Sequence, residues 1–252
     1  MDILYIIGEG CSKCDYFELR CSLRSIEKYG KNVGRVFVAG YCPDFLSDEV
    51  VKVPVANQPY EHSANQIEKH INILYTILYV VDNTDISNDF LVSMDDHFYI
   101  GETDFGNYPF YCKIHGEKNK LPLSGKTEYK QFLAQTRQFL HDNNLTTYYL
   151  TLHRNMHCNK TIIAECRSIL NQVIKDKIAC EPMAFILNYW NTNHEIEITP
   201  VEDVKLNGGG QWWKADPRNT EVFSTVDFEP GIGLYTLVEG LYPNKSKYEN
   251  NE

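Results

Sequence analysis

Positive charge is scarce in this chain. Its 252 residues carry 24 Lys and Arg against 34 Asp and Glu, a formal net charge of −10. That balance disfavours a broad electrostatic grip on nucleic acid or on an anionic membrane, while leaving room for a local basic groove. No run approaches the roughly 20 apolar residues of a membrane span. The opening MDILYIIGEG shows neither a basic leader nor a small-residue cleavage site, so a secretory signal is not expected and the setting reads as cytoplasmic. The sequons at Asn144, Asn159 and Asn244 then carry no meaning. A GxGxxG or GKS/T register is missing: Gly208-Gly209-Gly210 is neither a dinucleotide fingerprint nor a P-loop. It reads as a loop, with Trp212 or Trp213 either a stacking surface for a base or sugar, or a buried anchor. Internal repeats and low-complexity linkers are also missing. The length suits one domain with a sizeable core, spanning 1–252, with a first half to 110 and a second from 111.

Eight cysteines are scattered, and a single CxxC joins Cys11 and Cys14. In a chain without an export signal these read as reduced thiols. Strand, CSKC, then helix is also the local order of a thioredoxin-like redox site. A structural zinc would need two more ligands, and there is no second CxxC.

The stretch that organises the chain is Leu91–Ile100, LVSMDDHFYI. Apolar runs on either side read as buried strands. Between them stand Asp95, Asp96 and His97. Two adjacent carboxylates at the end of a buried strand are costly unless neutralised. Mg²⁺ or Mn²⁺, with their preference for carboxylate oxygens, would do so and would in turn hold phosphates. The plainer alternative is a tight turn whose Asp side chains cap backbone groups.

Upstream, Asp2–Ile7 reads as a strand, broken at Gly8-Glu9-Gly10. Asp15 and Glu18 suggest a capping box, and Leu19, Leu23 and Ile26 an amphipathic helix to about Tyr29. Arg20 and Arg24 lie one turn apart on it, either as a solvated flank or as cations aimed at a phosphate. Arg35–Ala39 and Val50–Val55 read as strands. Ser63 and Gln66 suggest the next helix start, with Asn65, Lys69 and His70 in its first turns and Ile67, Ile71, Leu74, Ile77 and Leu78 as its stripe. This alternation predicts an α/β domain with a mainly parallel sheet. Ligands bind such sheets at the carboxyl ends of the strands, so Gly8–Gly10 and Asp95–Asp96 would face one crevice. Downstream, Thr127–His141 and Thr161–Ile178 read as helices. Tyr148–His153 and Glu195–Thr199 read as strands, the former ending in His153, and the tail beyond Glu249 reads as loose.

Taken together, DILYIIGEG, ELRCSLRSIEKYG, RVFVAGYCPDFL and MDDHF resemble the nucleotide-sugar transferases of the Stealth group, bacterial capsule hexose-phosphate transferases and their relatives. Similar segments occur in small bacterial and phage glycosyltransferases of the GT-A type. LTLHRNMHCNK, FSTVD and LYPNKSKYE extend the likeness. The chain departs from the pattern where Asn155 stands for the family's Pro, where Met94 stands for the Asn before the Asp pair, and in the first loop, with Glu9-Gly10 and the insertion-like CSKC stretch.

The resemblance implies a GT-A-like mainly parallel sheet flanked by helices, with a C-terminal helical elaboration, the first half (1–110) binding nucleotide and the second (111–252) facing the acceptor. It implies a metal-dependent transferase moving a sugar from a nucleotide-diphosphate sugar to a hydroxyl, or in the Stealth manner a sugar phosphate. The implied acceptors are a glycan, a lipid-linked sugar or a modified nucleobase. Asp95 and Asp96 would hold Mn²⁺ or Mg²⁺, with His153 as third ligand or general base, or else a core histidine. Gly8, Gly10, Asn65, Lys69, Arg20 and Arg24 would surround the phosphates. A non-catalytic glycan-binding relative is the alternative of another class.

Overall fold

The structure is a computed structural model. It describes residues 1–10, 12, 14–55, 65–114, 119–207, 212–216, 218, 220–226 and 233–250. Cys11, Ser63 and the triple glycine lie outside the described residues, as do the side chains of Trp212 and Trp213. The redox, capping and stacking expectations placed on them therefore have no structural counterpart here.

The elements run β1 (Asp2–Ile7), α1 (Phe17–Tyr29), β2 (Gly30–Lys31), β3 (Val36–Gly40), β4 (Val50–Pro54), α2 (Gln66–Asn83), β5 (Asp89–Ser93) and β6 (His97–Tyr99). They continue β7 (Thr103–Asp104), β8 (Phe110–Lys113), α3 (Glu128–Asp142), β9 (Met156–Asn159), α4 (Lys160–Lys175) and α5 (Pro182–His194). Last come β10 (Ile198–Val201), β11 (Lys205–Leu206), β12 (Val222–Thr225) and α6 (Gly233–Leu241).

The central sheet has the order β4-β3-β1-β5-β9. The first four strands are parallel and β9 runs antiparallel along β5. The core strand β1 is apolar on both faces, as a covered parallel strand must be. With period two, Ile3, Tyr5 and Ile7 join Leu19, Leu23 and Ile26 of α1 on one side. Leu4 joins Leu74 and Ile77 of α2, Ile163 of α4 and Phe185 of α5 on the other. At the end of β3, Gly40 has φ +93°, and a Cβ there would lie 2.3 Å from the Ile7 carbonyl oxygen. Only glycine lets Tyr41 N–H bond that carbonyl, at 2.8 Å.

Helix α1 is tied to the sheet by two buried hydroxyls. Ser22 Oγ pairs with Tyr5 Oη at 2.8 Å and donates to the His97 carbonyl at 2.7 Å. Ser25 Oγ accepts from Tyr99 N–H at 3.1 Å. These bonds hold β6 beside α1, so the turn joining β5 to β6 is fixed at both ends.

Several expectations change. The first helix starts at Phe17, and its N-cap Tyr16 is left-handed with no side-chain cap bond. Ser12 Oγ instead accepts from Tyr16 N–H and donates to Glu18, so Asp15 does not form the capping box. Asn65, expected at the nucleotide, is the N-cap of α2 and accepts from Glu68 N–H at 3.0 Å. Tyr148–His153 is not a strand. Its backbone bonds run to Asn119 and Lys113, and the place beside β5 is taken by β9. The final segment is anchored to Asn250: Ser47 N–H bonds the Tyr248 carbonyl and Asn250 N–H the Phe45 carbonyl.

Candidate active site

Since β1 and β5 are parallel neighbours, the loop after Ile7 and the turn after Ser93 leave the same edge of the sheet. Asp95 and Asp96 form that turn. Both are partly buried, and the charges acting on Asp95 come from Asp96, Glu18 of α1 and Lys69 of α2. Burial, then the carboxylates of Asp96 and Glu18, push the Asp95 carboxyl up to about 7. Lys69 acts the other way, and more weakly. His97, fully buried behind it, is pushed down to about 4 by burial and is neutral at pH 7. Its Nε2 lies 3.7 Å from Asp96.

On the far side of Asp96 stands a second charged group. Lys205 Nζ, at the start of β11, is 3.7 Å from Asp96 Oδ2 and 3.2 Å from His153 Nε2. The His153 Nδ1 faces Asp203 Oδ2 at 2.8 Å, and its backbone N–H donates to Asp203 Oδ1 at 3.0 Å. Lys113 of β8 donates to the same Oδ2 at 2.8 Å. Burial alone would raise the Asp203 carboxyl, but the bonds from His153 and Lys113 outweigh it and hold it well below the usual carboxylate range. With Nδ1 on Asp203, the Nε2 of His153 is turned toward Lys205. Four chain-distant elements therefore meet: the β5–β6 turn, the segment before β9, β8 and β11.

The glycine loop closes on Tyr16. Gly10, left-handed at φ +67°, donates its N–H to Tyr16 Oη at 2.9 Å. Tyr16 Oη in turn donates to the Gly8 carbonyl at 3.5 Å.

The arginines lie elsewhere. Arg24, expected at the phosphates, clamps the C-terminal segment: Nε and Nη2 bond the two oxygens of Glu249 at 2.7 Å, and Nη1 the Tyr242 carbonyl at 2.9 Å. Glu249 has no side-chain exposure. Arg20 stacks over Phe45 at 3.7 Å, pairs with Asp15 at 3.1 Å and stands 3.6 Å from Glu249. Arg24 thus holds the C-terminal segment on α1, while Arg20 bonds Asp15 and lies near Glu249.

Among the described residues no group of three His, Cys, Asp or Glu side chains stands close enough to share a metal ion. By chemistry alone Asp95 and Asp96, which supply hard oxygens, are ligands such an ion takes, but His153 does not stand close enough to complete a group of three with them. Sequence reasoning missed Asp203, Lys113 and Lys205. Their local sequence, VEDVKL for two of them, carries no spacing signal; only the pairing of β11 with β12 and of β8 with β10 brings them in.

This mostly parallel sheet, helix-flanked and carrying acidic residues at its carboxyl edge, is the GT-A type of glycosyltransferase fold. Among solved structures the chain is similar to an active-site mutant of LgtC, a GT-A-type glycosyltransferase, with 12% identity and a TM-score of 0.50. The match covers 98% of this chain and 98% of that one. At that identity the likeness is one of fold. No family model and none of the curated proteins matches the chain.

Proposed function

We propose that the chain is a glycosyltransferase taking a nucleotide-diphosphate sugar as donor. One observation supports it above the rest: two adjacent carboxylates, Asp95 and Asp96, stand in the turn at the carboxyl end of β5, in a GT-A-type fold. Such a pair suits a divalent ion brought with a diphosphate. In this reading Asp95 and Asp96 hold Mn²⁺ or Mg²⁺. Such an ion, when bound, neutralises charge on the leaving diphosphate as a Lewis acid. Lys69 adds fixed positive charge beside Asp95. His153, oriented by Asp203, can take a proton from an acceptor hydroxyl at Nε2 once Lys205 has moved aside. The acceptor is a glycan, a lipid-linked sugar or a modified nucleobase. No helix among the described residues is long and apolar enough to cross a membrane.

The test is a panel of nucleotide sugars incubated with the chain and Mn²⁺, reading release of nucleotide. Release of nucleoside diphosphate supports glycosyl transfer. Release of nucleoside monophosphate points to sugar-phosphate transfer. Binding with no release by any donor identifies a glycan- or nucleotide-binding protein instead.

A further inference from the structure

We infer that the cleft between α2 and α4 is a sugar-binding site separate from the active site, one that holds a glycan while its end reacts elsewhere. The choice of ligand rests on the glycosyltransferase reading, but the cleft shares no residue with the carboxylate turn. Its volume is about 430 Å³. That lies within the range of about 300–1,000 Å³ usual for small-molecule sites. It runs along two helices whose core faces, through Leu74, Ile77 and Ile163, cover the sheet.

The lining joins flat aromatic surface to planar polar groups. Tyr75 and Tyr79 stand one turn apart on α2, with ring centroids 6.5 Å apart and ring planes at 34°. Tyr75 is 43% exposed, unusual in this chain for so large a ring. Across the cleft α4 contributes Arg167 and Asn171. Arg167 grips Asp82 of α2 fork to fork, Nη1 lying 3.0 Å from Oδ1 and Nη2 bonding Oδ2. The pair ties the two helices together and fixes the polar groups in place. It uses two of the five guanidinium N–H groups and leaves acceptor capacity on the carboxylate.

A pyranose has a face of C–H bonds and a rim of hydroxyls. The C–H face suits the negative face of a tyrosine ring, and the hydroxyls suit Asp82, Arg167 and Asn171. An apolar helix laid in the cleft would bury those polar groups without partners. A phosphate-rich chain would meet Asp82 on a protein of net charge −10. A glycan held in the cleft stays with the enzyme between transfers, which raises the effective concentration of its reacting end.

The experiment is saturation-transfer NMR on the full chain, without nucleotide or metal. The probes are the methyl glycosides of glucose, galactose, mannose and N-acetylglucosamine, each alone. The proteins are the parent, Tyr75→Ala, Asn171→Ala and Asp96→Asn, with circular dichroism to check that each is folded. The expected result is transfer to at least one glycoside from the parent, weaker by about fivefold or more in Tyr75→Ala and Asn171→Ala, and kept in Asp96→Asn. Should Tyr75→Ala fail to fold, Asn171→Ala carries the test. Transfer unchanged in the cleft variants overturns the inference. So does transfer lost in Asp96→Asn, which would put the sugar at the carboxylate turn, and so does transfer to none of the glycosides. None of these results bears on nucleotide release from a donor, which decides the glycosyltransferase reading separately.

Discussion

Asp203 grips His153 twice, through the backbone N–H at 3.0 Å and through Nδ1 at 2.8 Å, although fifty residues separate them in the chain. The pair fixes both where the imidazole lies and which of its nitrogens carries the lone pair. Asp203→Asn keeps the shape but loses the charge that favours a proton on Nδ1. Turnover should fall by tenfold or more while donor affinity changes little, because the metal and phosphates are held elsewhere. A hydrogen bond to a charged group contributes about 1.5–3 kcal/mol, so stability should fall by about that much as well. Steady-state kinetics on the best donor, with a urea melt alongside, reads both. Unchanged turnover would remove His153 from the chemistry.

Arg24 and Glu249 should behave as one stabilising unit with no part in turnover. Burial opposes the Glu249 charge, but Arg24 and Ser246 hold its carboxyl below the usual range. Arg24→Ala leaves that carboxylate buried without its partner, at a cost of about 3–5 kcal/mol. The double variant Arg24→Ala, Glu249→Ala should cost less than the two single changes added together. Denaturant melts of the four proteins measure the coupling. Folded Arg24→Ala with turnover reduced a hundredfold would return the arginine to the phosphates.

A pH dependence follows from Glu181, the N-cap of α5, which is buried and accepts from Ala184 N–H. Burial pushes its carboxyl up from 4.5 to about 7, against the pull of the Ala184 and Met183 amides. The folded value lies above the unfolded one, so the native state binds the proton more tightly. The stabilisation is complete below about 4.5 and is lost as pH rises towards 7, where the native state must carry a buried charge. Glu181→Gln keeps the cap acceptor and removes the titration. Its melting temperature should match or fall below the parent's at pH 4.5 and exceed it at pH 8. The same difference at both pH values would contradict the assignment.

The parallel sheet and its first two helices were legible in the sequence because burial there is periodic. Ile3, Tyr5 and Ile7 alternate with Leu4, and Leu19, Leu23 and Ile26 recur at helical spacing. Helix α5 was not, because Pro182–Asn188 are buried on every side and present no stripe. Its signal was Glu181 followed by Pro182, an N-cap with proline in the first turn. In the site, the Asp pair showed itself through the cost of its own charges, and His153 through a family likeness. Asp203, Lys113 and Lys205 could not show themselves, since each matters only through a partner many residues away. The partner of Arg24 was hidden for the same reason: nothing near it in the chain announces Glu249.

The claim everything else depends on is that Asp95 and Asp96 hold a nucleotide-diphosphate sugar through a divalent ion. The most direct measurement is binding of the best donor from the panel to the parent and to Asp96→Asn, each with Mn²⁺ and with EDTA. The account predicts binding for the parent with Mn²⁺, weakened a hundredfold or more by EDTA and by the substitution alike. Donor affinity indifferent to both EDTA and Asp96→Asn would contradict it.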